Sequence, residues 1–180
     1  MTPASAVVLR AESIATPLGE LTIVCSAKGV VATIFEDEDT DVGVAMARID
    51  GSSGPSPAGS RGRERSVASA ARREIRDYFA GRTRPFSVRP DLRLVGEGFG
   101  RRVLEAVTAI PYGELWTYGD VAGMAGSPRA ARAAGSALAG CPIELFVPCH
   151  RVVHAGGTIG GYGRHEDRKR WLLRHEGATA

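Results

Sequence analysis

The sequence predicts two domains: an N-terminal α/β domain, built from a small antiparallel sheet and a helix, and a mostly helical C-terminal domain with a helix-turn-helix. Short β-branched segments separated by Gly and Pro turns predict the sheet. Two short helical segments joined by a Gly-containing turn predict the helix-turn-helix. A chain of 180 residues is long enough for two such cores, and we expect domains over residues 1–92 and 93–180.

The first domain begins with three predicted strands, over residues 6–9, 21–25 and 30–35. Turn residues at 16–19 and 28–29 interrupt the β-branched segments, so we expect a β-meander. Because Cys25 falls inside the second strand, we expect it to pack in the sheet as a small apolar residue.

Two polar segments and one helix complete the first domain. Residues 36–41 are acidic and residues 51–62 are rich in Gly, Ser and Pro, so we expect a solvated loop and a flexible surface loop. Helical spacing over residues 66–79 predicts a helix that ends at Gly81. Its apolar side is expected to contain Val67, Ala70, Ala71, Ile75, Tyr78 and Phe79.

The second domain follows an extended connector over residues 82–94, whose two prolines disfavour a helix. An apolar stripe over residues 99–110 predicts an amphipathic helix. Thr117 is a suitable N-cap for a short helix that reaches residue 124, and a second helix is predicted over residues 128–139. These two short helices form the predicted helix-turn-helix.

The predicted helix over residues 128–139 has an unusual composition. It contains no acid and almost no bulky side chain, but it carries Arg129 and Arg132. Small side chains allow a close approach to a nucleic-acid backbone, and a helix N-terminus favours anions. Too few side chains can read base edges, so we do not expect sequence-specific recognition.

Charge and cysteine usage restrict the class of protein. Residues 1–60 carry 3 basic and 8 acidic residues, whereas residues 61–180 carry 20 and 12, and nearly all the basic residues are arginine. A positive C-terminal part is typical of a phosphate-binding surface, although a solvated basic surface would look the same. Three cysteines without framework spacing predict a reducing compartment. No segment resembles a membrane span or a secretory signal, so we expect a cytoplasmic protein, in a prokaryotic cytosol or nucleoid.

The segment Val-Pro-Cys-His-Arg-Val-Val at residues 147–153 contains the candidate nucleophile, Cys149. A thiolate is the reactive form of cysteine, and the neighbouring His150 can accept its proton. Pro148 fixes the backbone before the thiol. A lone cysteine is usually a buried core residue, but this setting favours a reactive one. A metal site is not expected, because no second ligand pair stands at zinc spacing.

This motif resembles the active-site signature of the O(6)-alkylguanine-DNA alkyltransferases, also called methylated-DNA–protein-cysteine methyltransferases. Further segments resemble that family in order and spacing, namely residues 110–113, 117–122, 130–133, 160–163 and 168–173. The similarity is weaker upstream, at residues 16–21 and 74–81. The resemblance implies a ribonuclease-H-like first domain and a winged helix-turn-helix second domain.

The resemblance also implies a function. The protein would flip O(6)-alkylguanine, chiefly O(6)-methylguanine, or O(4)-alkylthymine out of double-stranded DNA and transfer the alkyl group irreversibly to Cys149. His150 would act as the base and Glu176 would orient it. Each molecule would react once, as a monomer and without a cofactor, after binding the minor groove with little sequence specificity.

The resemblance assigns the remaining site residues to two groups. The substrate-binding group would comprise Tyr118, Val152, Tyr162, Gly163 and Lys169, with the Tyr118 hydroxyl at guanine N3. The DNA-binding group would comprise Arg129, Ala130, Ala131, Arg132, Gly135, Ser136 and Arg151, with Arg132 filling the vacated base stack.

Two positions depart from the family pattern. Cys141 stands at the hinge where the family usually has Asn, and a thiol is a weaker hydrogen-bonding group than an amide. Two interpretations remain open, a hinge held by side-chain hydrogen bonds and a small packed residue. Glu144 replaces an apolar residue or proline, so the pocket wall should be more polar.

Two other classes of function remain open at this stage. A damage-recognition module would bind alkylated DNA without transfer, and a cysteine hydrolase would turn over many substrates. The adjacent Cys149 and His150 argue against a hydrolase, because hydrolases usually take these residues from separate elements.

Overall fold

A computed structural model describes residues 9–36, 62–82, 85–163 and 165–178, and the chain divides after Leu94 into two compact units. Of the loops predicted over residues 36–41 and 51–62, residues 37–41 and 51–61 lie outside this described part. Within it, no helix is both long and apolar enough to cross a bilayer.

The N-terminal unit contains a three-stranded antiparallel sheet in the order β1 (Arg10–Thr16), β2 (Gly19–Cys25) and β3 (Val30–Phe35). The predicted β3 is confirmed, and β2 begins two residues earlier than predicted. Residues 6–8 of the strand predicted over residues 6–9 lie outside the described part, and the prediction is wrong at Leu9, since β1 begins at Arg10. This strand is largely exposed, so its sequence lacks the apolar run that would have revealed it.

Helix α1 (Arg63–Phe79) packs against this sheet and begins three residues earlier than predicted. Its buried side contains Ala68, Ala71, Ile75 and Tyr78, together with Glu64 and Glu74. Of the other residues expected on the apolar side, Val67, Ala70 and Phe79 are half-buried. Gly81 follows the helix with a φ of 70°, as its C-terminal signal predicted.

Glu74 is buried on α1 because its carboxylate accepts backbone hydrogen bonds from the segment after the helix. Ser87 N donates at 3.0 Å and Val88 N at 3.1 Å. Further along, Val30 N donates to Arg89 O at 3.0 Å. The backbone approaches closely here, since a Cβ on Gly29 would lie 2.1 Å from Arg89 O. The predicted connector is therefore attached to β3 at this point.

The C-terminal unit is mostly helical, as predicted. Its elements are α2 (Phe99–Val107), β4 (Trp116–Thr117), α3 (Tyr118–Met124), α4 (Ala131–Ala139), β5 (Val152–Val153) and α5 (Glu166–Glu176). Helices α2, α3 and α4 pack against one another around Val103, Val121 and Ala134, which are fully buried. The helix-turn-helix pair consists of α3 and α4.

The helix boundaries partly follow the sequence signals. Thr117 caps α3 as predicted, since its Oγ1 accepts from Asp120 N at 3.1 Å and Asp120 Oδ2 accepts from Thr117 N at 2.8 Å. The prediction that the second helix starts at Pro128 is wrong. Ala130 N donates to Ser127 O in a tight turn, and α4 begins only at Ala131.

The short parallel pair of β4 and β5 brings the site together. Trp116 pairs with Val152 and Thr117 with Val153, so the start of α3 lies beside the Cys-His-Arg segment. That segment forms a short 3₁₀-helix, Cys149–Arg151, directly before β5. Each strand is only two residues long and adjoins one of these segments. The pairing of β4 with β5 therefore holds the start of α3 and the Cys-His-Arg segment close together.

Candidate active site

A cavity of about 480 Å³ opens beside α4, and Cys149 contributes to its wall. The cysteine is only 5% exposed. The other lining residues are Tyr118, Ala131, Arg132, Gly135, Ser136, Leu138, Ala139, His154, Gly161, Tyr162 and Gly163. Its volume is in the range of small-molecule sites, and its walls come from α3, α4 and the Gly-rich segment after β5.

The Cys149 thiol is held largely protonated in the free protein. A hydrogen bond with the Cys141 thiol, together with burial and the nearby Glu144 carboxylate, raises the pKa of Cys149 well above its usual value, whereas Lys169 opposes this change. The thiolate is the nucleophilic form of cysteine, so this thiol can react only if a base removes its proton.

His150 has the partners that such a base needs. Its Nε2 lies 2.9 Å from Glu176 Oε1, and both side chains are almost completely buried. Burial, with help from Arg151 and Lys169, lowers the pKa of His150 despite the opposing carboxylate. The imidazole is therefore neutral near pH 7. If Nε2 donates to Glu176, Nδ1 is the free acceptor, and it has no hydrogen-bond partner among the described residues.

The carboxylate of Glu176 accepts hydrogen bonds from three residues. Besides His150, it accepts from Arg151 Nε at 2.8 Å, from Arg151 Nη2 at 2.9 Å and from Gly113 N at 3.2 Å. Burial alone would raise the pKa of Glu176, but hydrogen bonds from His150 and Arg151 lower it far below its usual value. Glu176 is thus an anion that orients His150, not simply the last acid of a helix.

The prediction that Arg151 binds DNA is wrong. Its side chain is buried, and its guanidinium donates to the Glu176 carboxylate and, through Nη1, to Ile110 O at 2.7 Å. The guanidinium carbon also lies 5.7 Å from the centre of the Tyr112 ring. All of these contacts are internal, so Arg151 stabilises the carboxylate that holds His150.

The prediction that Lys169 lies in the substrate pocket is also wrong. Its side chain is fully buried, and its Nζ donates to Val152 O at 2.6 Å and to Gly161 O at 3.4 Å. Burial lowers the pKa of Lys169 to about 8, against the opposing effect of Cys149. Neither Lys169 nor Val152 lines the cavity. Lys169 ties the Gly-rich segment to β5 and places a positive charge near the thiol.

Two tyrosines occupy different parts of the cavity wall. Burial raises the pKa of Tyr118, and Cys149 adds to the effect. Tyr162 is almost fully buried. Burial, followed by the neighbouring Glu144 carboxylate, raises its pKa well above the usual value. Both phenols therefore stay protonated and can donate hydrogen bonds. Glu144 acts on Tyr162 but does not itself line the cavity.

Helix α4 supplies the predicted DNA-binding residues, but not all of them reach the cavity. Its lining residues include Ala131, Arg132, Gly135 and Ser136, of which Arg132 and Ser136 are exposed. The other two, exposed Arg129 and half-buried Ala130, lie before the helix and outside the lining. One side of α4 thus forms the cavity wall beside an exposed arginine.

Sequence reasoning missed His154, which lines the cavity, and Gly160, which lies close to Tyr118 and His154. The His154 and Tyr118 rings lie 5.1 Å apart at their centres. Gly160 has a φ of 69°, and a Cβ there would lie 2.9 Å from the Tyr118 hydroxyl and 3.1 Å from His154 Nε2. A positive φ favours glycine. The glycine run signalled a close approach, but nothing in the sequence indicated which side chains it would meet.

Comparison with known proteins agrees with this geometry in both halves of the chain. Residues 9–92 match the family described as 6-O-methylguanine DNA methyltransferase, ribonuclease-like domain. Residues 98–178 match 6-O-methylguanine DNA methyltransferase, DNA binding domain. The methylated-DNA–protein-cysteine methyltransferase of Salmonella typhimurium is 37% identical over 169 residues, which cover 92% of this chain and 94% of that protein.

Solved structures give the same result. The O6-methylguanine methyltransferase of Mycobacterium tuberculosis is 34% identical, with a TM-score of 0.75 over 96% of this chain and 95% of that one. A structure of Mycobacterium tuberculosis OGT in complex with DNA is 35% identical, with a TM-score of 0.72 over 93% and 94% of the two chains. The chain belongs to the methylated-DNA–protein-cysteine methyltransferase family.

Proposed function

We propose that this protein repairs DNA by transferring an alkyl group from O6 of guanine to the Sγ atom of its own Cys149. The observation that carries the proposal is the position of this thiol in the wall of a cavity, next to a buried pair of His150 and Glu176. Cys149 would be the nucleophile, His150 the base that takes its proton, and Glu176 the acid that orients the base. Covalent catalysis uses this set of groups.

DNA would bind through α4, in the minor groove and with little sequence specificity. The small side chains of α4 support a close approach, and the exposed Arg129 and Arg132 supply positive charge without a competing carboxylate on this helix. Minor-groove proteins depend on such contacts and on deformation of the duplex. We propose that one monomer, in a reducing cytosol, is sufficient for the reaction.

The damaged base must leave the duplex, because O6 lies inside the base stack. Arg132 is the residue we propose to fill the vacated space, since it is both exposed and part of the cavity wall. Its planar guanidinium can stack on the neighbouring bases. The extruded nucleotide would then enter the cavity past Arg132 toward Cys149.

Inside the cavity, we assign base recognition to groups on both walls. The Tyr118 hydroxyl would donate to guanine N3, and the segment at Tyr162 and Gly163 would close the opposite side with a backbone N–H near O6. The carbonyl of Cys149 would accept from the exocyclic amine, whereas Val152 does not line the cavity and its carbonyl already accepts from Lys169 Nζ.

The chemical step is an in-line displacement. His150 Nδ1 accepts the Cys149 proton, directly or through a water, and Glu176 stabilises the imidazolium that forms. The thiolate attacks the alkyl carbon, so that a C–S bond forms while the C–O6 bond breaks and its electron pair goes to guanine. The proton on His150 then returns to the guanine anion. The positive charge of Lys169 favours the thiolate throughout.

The reaction consumes the protein. Its product is a thioether, which has no leaving group that water can displace. One molecule therefore repairs one base, whereas a cysteine hydrolase would turn over and a recognition module would not react.

Intact-protein mass spectrometry tests this proposal after incubation with a duplex that contains O(6)-methylguanine. We expect the addition of one methyl group in the wild type and in Cys25→Ala, and none in Cys149→Ser, which should still bind the duplex. A methyl group on Cys25 or Cys141, or an unmodified wild type, would overturn the assignment of Cys149.

A further inference from the structure

A second cysteine lies against the acceptor thiol. The chain reverses direction after α4: Cys141 N donates to Leu138 O at 3.1 Å, and Val147 N donates to Ile143 O at 3.0 Å. Leu145, at the tip of this reversal, has a φ of 71°. Cys141 and Cys149 therefore lie on opposite arms, each two residues outside the hydrogen-bonded pair, and their thiols hydrogen-bond to each other.

The cavity gives small molecules access to the Cys149 thiol of this pair. Leu138 and Ala139, at the end of α4, line the same cavity as Cys149, so the turn that carries Cys141 starts at the cavity wall. Cys141 itself is half-buried, and neither thiol forms a disulfide in the structure. The alkyl transfer uses Cys149 alone and leaves the chemistry of Cys141 unassigned.

We propose that Cys141 is a resolving cysteine, which converts an oxidised Cys149 into a reversible intramolecular disulfide. A peroxide first transfers one oxygen to Cys149 and gives a sulfenic acid, while the peroxide is reduced to water or an alcohol. The Cys141 sulfur then attacks the Cys149 sulfur, the S–O bond breaks, and water leaves with the proton of Cys141. In total, two thiols and hydrogen peroxide give one disulfide and two molecules of water; an organic hydroperoxide gives one disulfide, one alcohol and one water.

Such a pair would protect a residue that the protein can use only once. Sulfenic acid is reversible, but further oxidation to sulfinic or sulfonic acid is not. A thiol that hydrogen-bonds to Cys149 should react intramolecularly, at a high effective concentration, before a second peroxide arrives. Because burial and the Cys141 hydrogen bond raise the pKa of Cys149, its first oxidation should be slow. The pair of cysteines is therefore better suited to protecting Cys149 from further oxidation than to sensing peroxide rapidly.

The two interpretations of Cys141 drawn from the sequence predict different behaviour under oxidation. A residue that only packs, or only holds the hinge, would leave Cys149 to continue to sulfinic acid. A resolving residue would trap the disulfide, and a reductant would restore the acceptor.

The experiment treats the full-length wild type, Cys141→Ala and Cys141→Ser with hydrogen peroxide, with Cys25→Ala as the matched control. Intact mass and non-reducing peptide mapping are measured first. Dithiothreitol is then added, and methyl transfer is compared with that of the same protein before oxidation. The wild type and Cys25→Ala should lose two hydrogen atoms, contain a Cys141–Cys149 link and regain most of their activity. Both Cys141 variants should gain oxygen atoms on Cys149 and regain little.

Three results would overturn the proposal: Cys149 oxides without a disulfide in the wild type, a disulfide that links two molecules, or a disulfide that uses Cys25. Only the value of protecting Cys149 rests on the proposed transfer reaction. The mass measurement of the disulfide needs no DNA. A protein that forms the disulfide but takes up no methyl group would therefore contradict the proposed function and leave this inference standing.

Discussion

Replacing Glu176 by Gln tests the buried charge cluster that holds His150. The side chain of Glu176 is fully buried, and its carboxylate accepts from His150, Arg151 and Gly113. Gln has nearly the same shape, but its amide group places a donor where the structure requires an acceptor, and the buried Arg151 loses its counter-charge. Removing one partner of a buried ion pair costs about 3–5 kcal/mol.

The expected loss is measurable by thermal and denaturant unfolding. For a chain of this size, each kcal/mol corresponds to about 2–4 °C, so the melting temperature of Glu176→Gln should fall by roughly 6–20 °C. The exposed Glu166, in the first turn of the same helix, gives the matched control, and Glu166→Gln should shift melting far less. Methyl transfer by Glu176→Gln should also be slower, because His150 loses the anion that stabilises its protonated form.

The pH dependence of this difference follows from the direction of the pKa change. Because the folded-state pKa of Glu176 is lowered from the usual 4.5, its ionised form stabilises the protein above that pH, and the stabilisation disappears as the pH falls below it. The gap in unfolding free energy between wild type and Glu176→Gln should therefore be largest near neutral pH and narrow below 4.5. Equal melting temperatures at pH 7, or a gap that is unchanged in acid, would refute the buried cluster.

Two further substitutions separate DNA binding from pocket geometry. Arg132→Ala should slow repair of duplex by about 100-fold, since filling the vacated stack offsets a few kcal/mol of unstacking; transfer from free O(6)-benzylguanine should hardly change. Arg129→Ala is the charge-matched control, and equal losses on both substrates would make Arg132 structural. Gly160→Ala should slow transfer on both substrates, because its Cβ would contact the Tyr118 hydroxyl at 2.9 Å. Gly157→Ala is the control, because Gly157 has a φ of 83° and open space around it, so that this variant has the same backbone strain of about 1–2 kcal/mol without the contact. If both variants transfer equally well, the contact with Tyr118 has no role.

Local signals in the sequence predicted much of the fold. Thr117 and Asp120 form a capping box whose three-residue spacing is visible in the sequence, and β3 is a continuous apolar strand. The edge strand β1 was missed because its exposed side is polar. Helix α4 was started too early, because Pro128 is as compatible with a tight turn as with a first helical turn.

The candidate site was predictable where a motif fixes the chemistry, and less so where partners are distant in sequence. Cys149 and His150 are adjacent, whereas the partner of Arg151 is Glu176, 25 residues away. From the sequence, Arg151 therefore resembled a phosphate ligand in a DNA-repair motif, although it belongs to a buried ion pair. The contact of Cys141 with Cys149 depends on the chain reversal at Leu145, which no pattern in the sequence indicated.

The central claim is that Cys149 accepts one alkyl group and is then spent. A titration measures it most directly: increasing amounts of duplex with O(6)-methylguanine are added to a fixed amount of protein, and repaired guanine and S-methylcysteine are both counted. We expect both products to reach a plateau at one equivalent per protein, with every methyl group in the peptide that contains Cys149. Repair that continues beyond one equivalent, or guanine repaired without S-methylcysteine at Cys149, would contradict it.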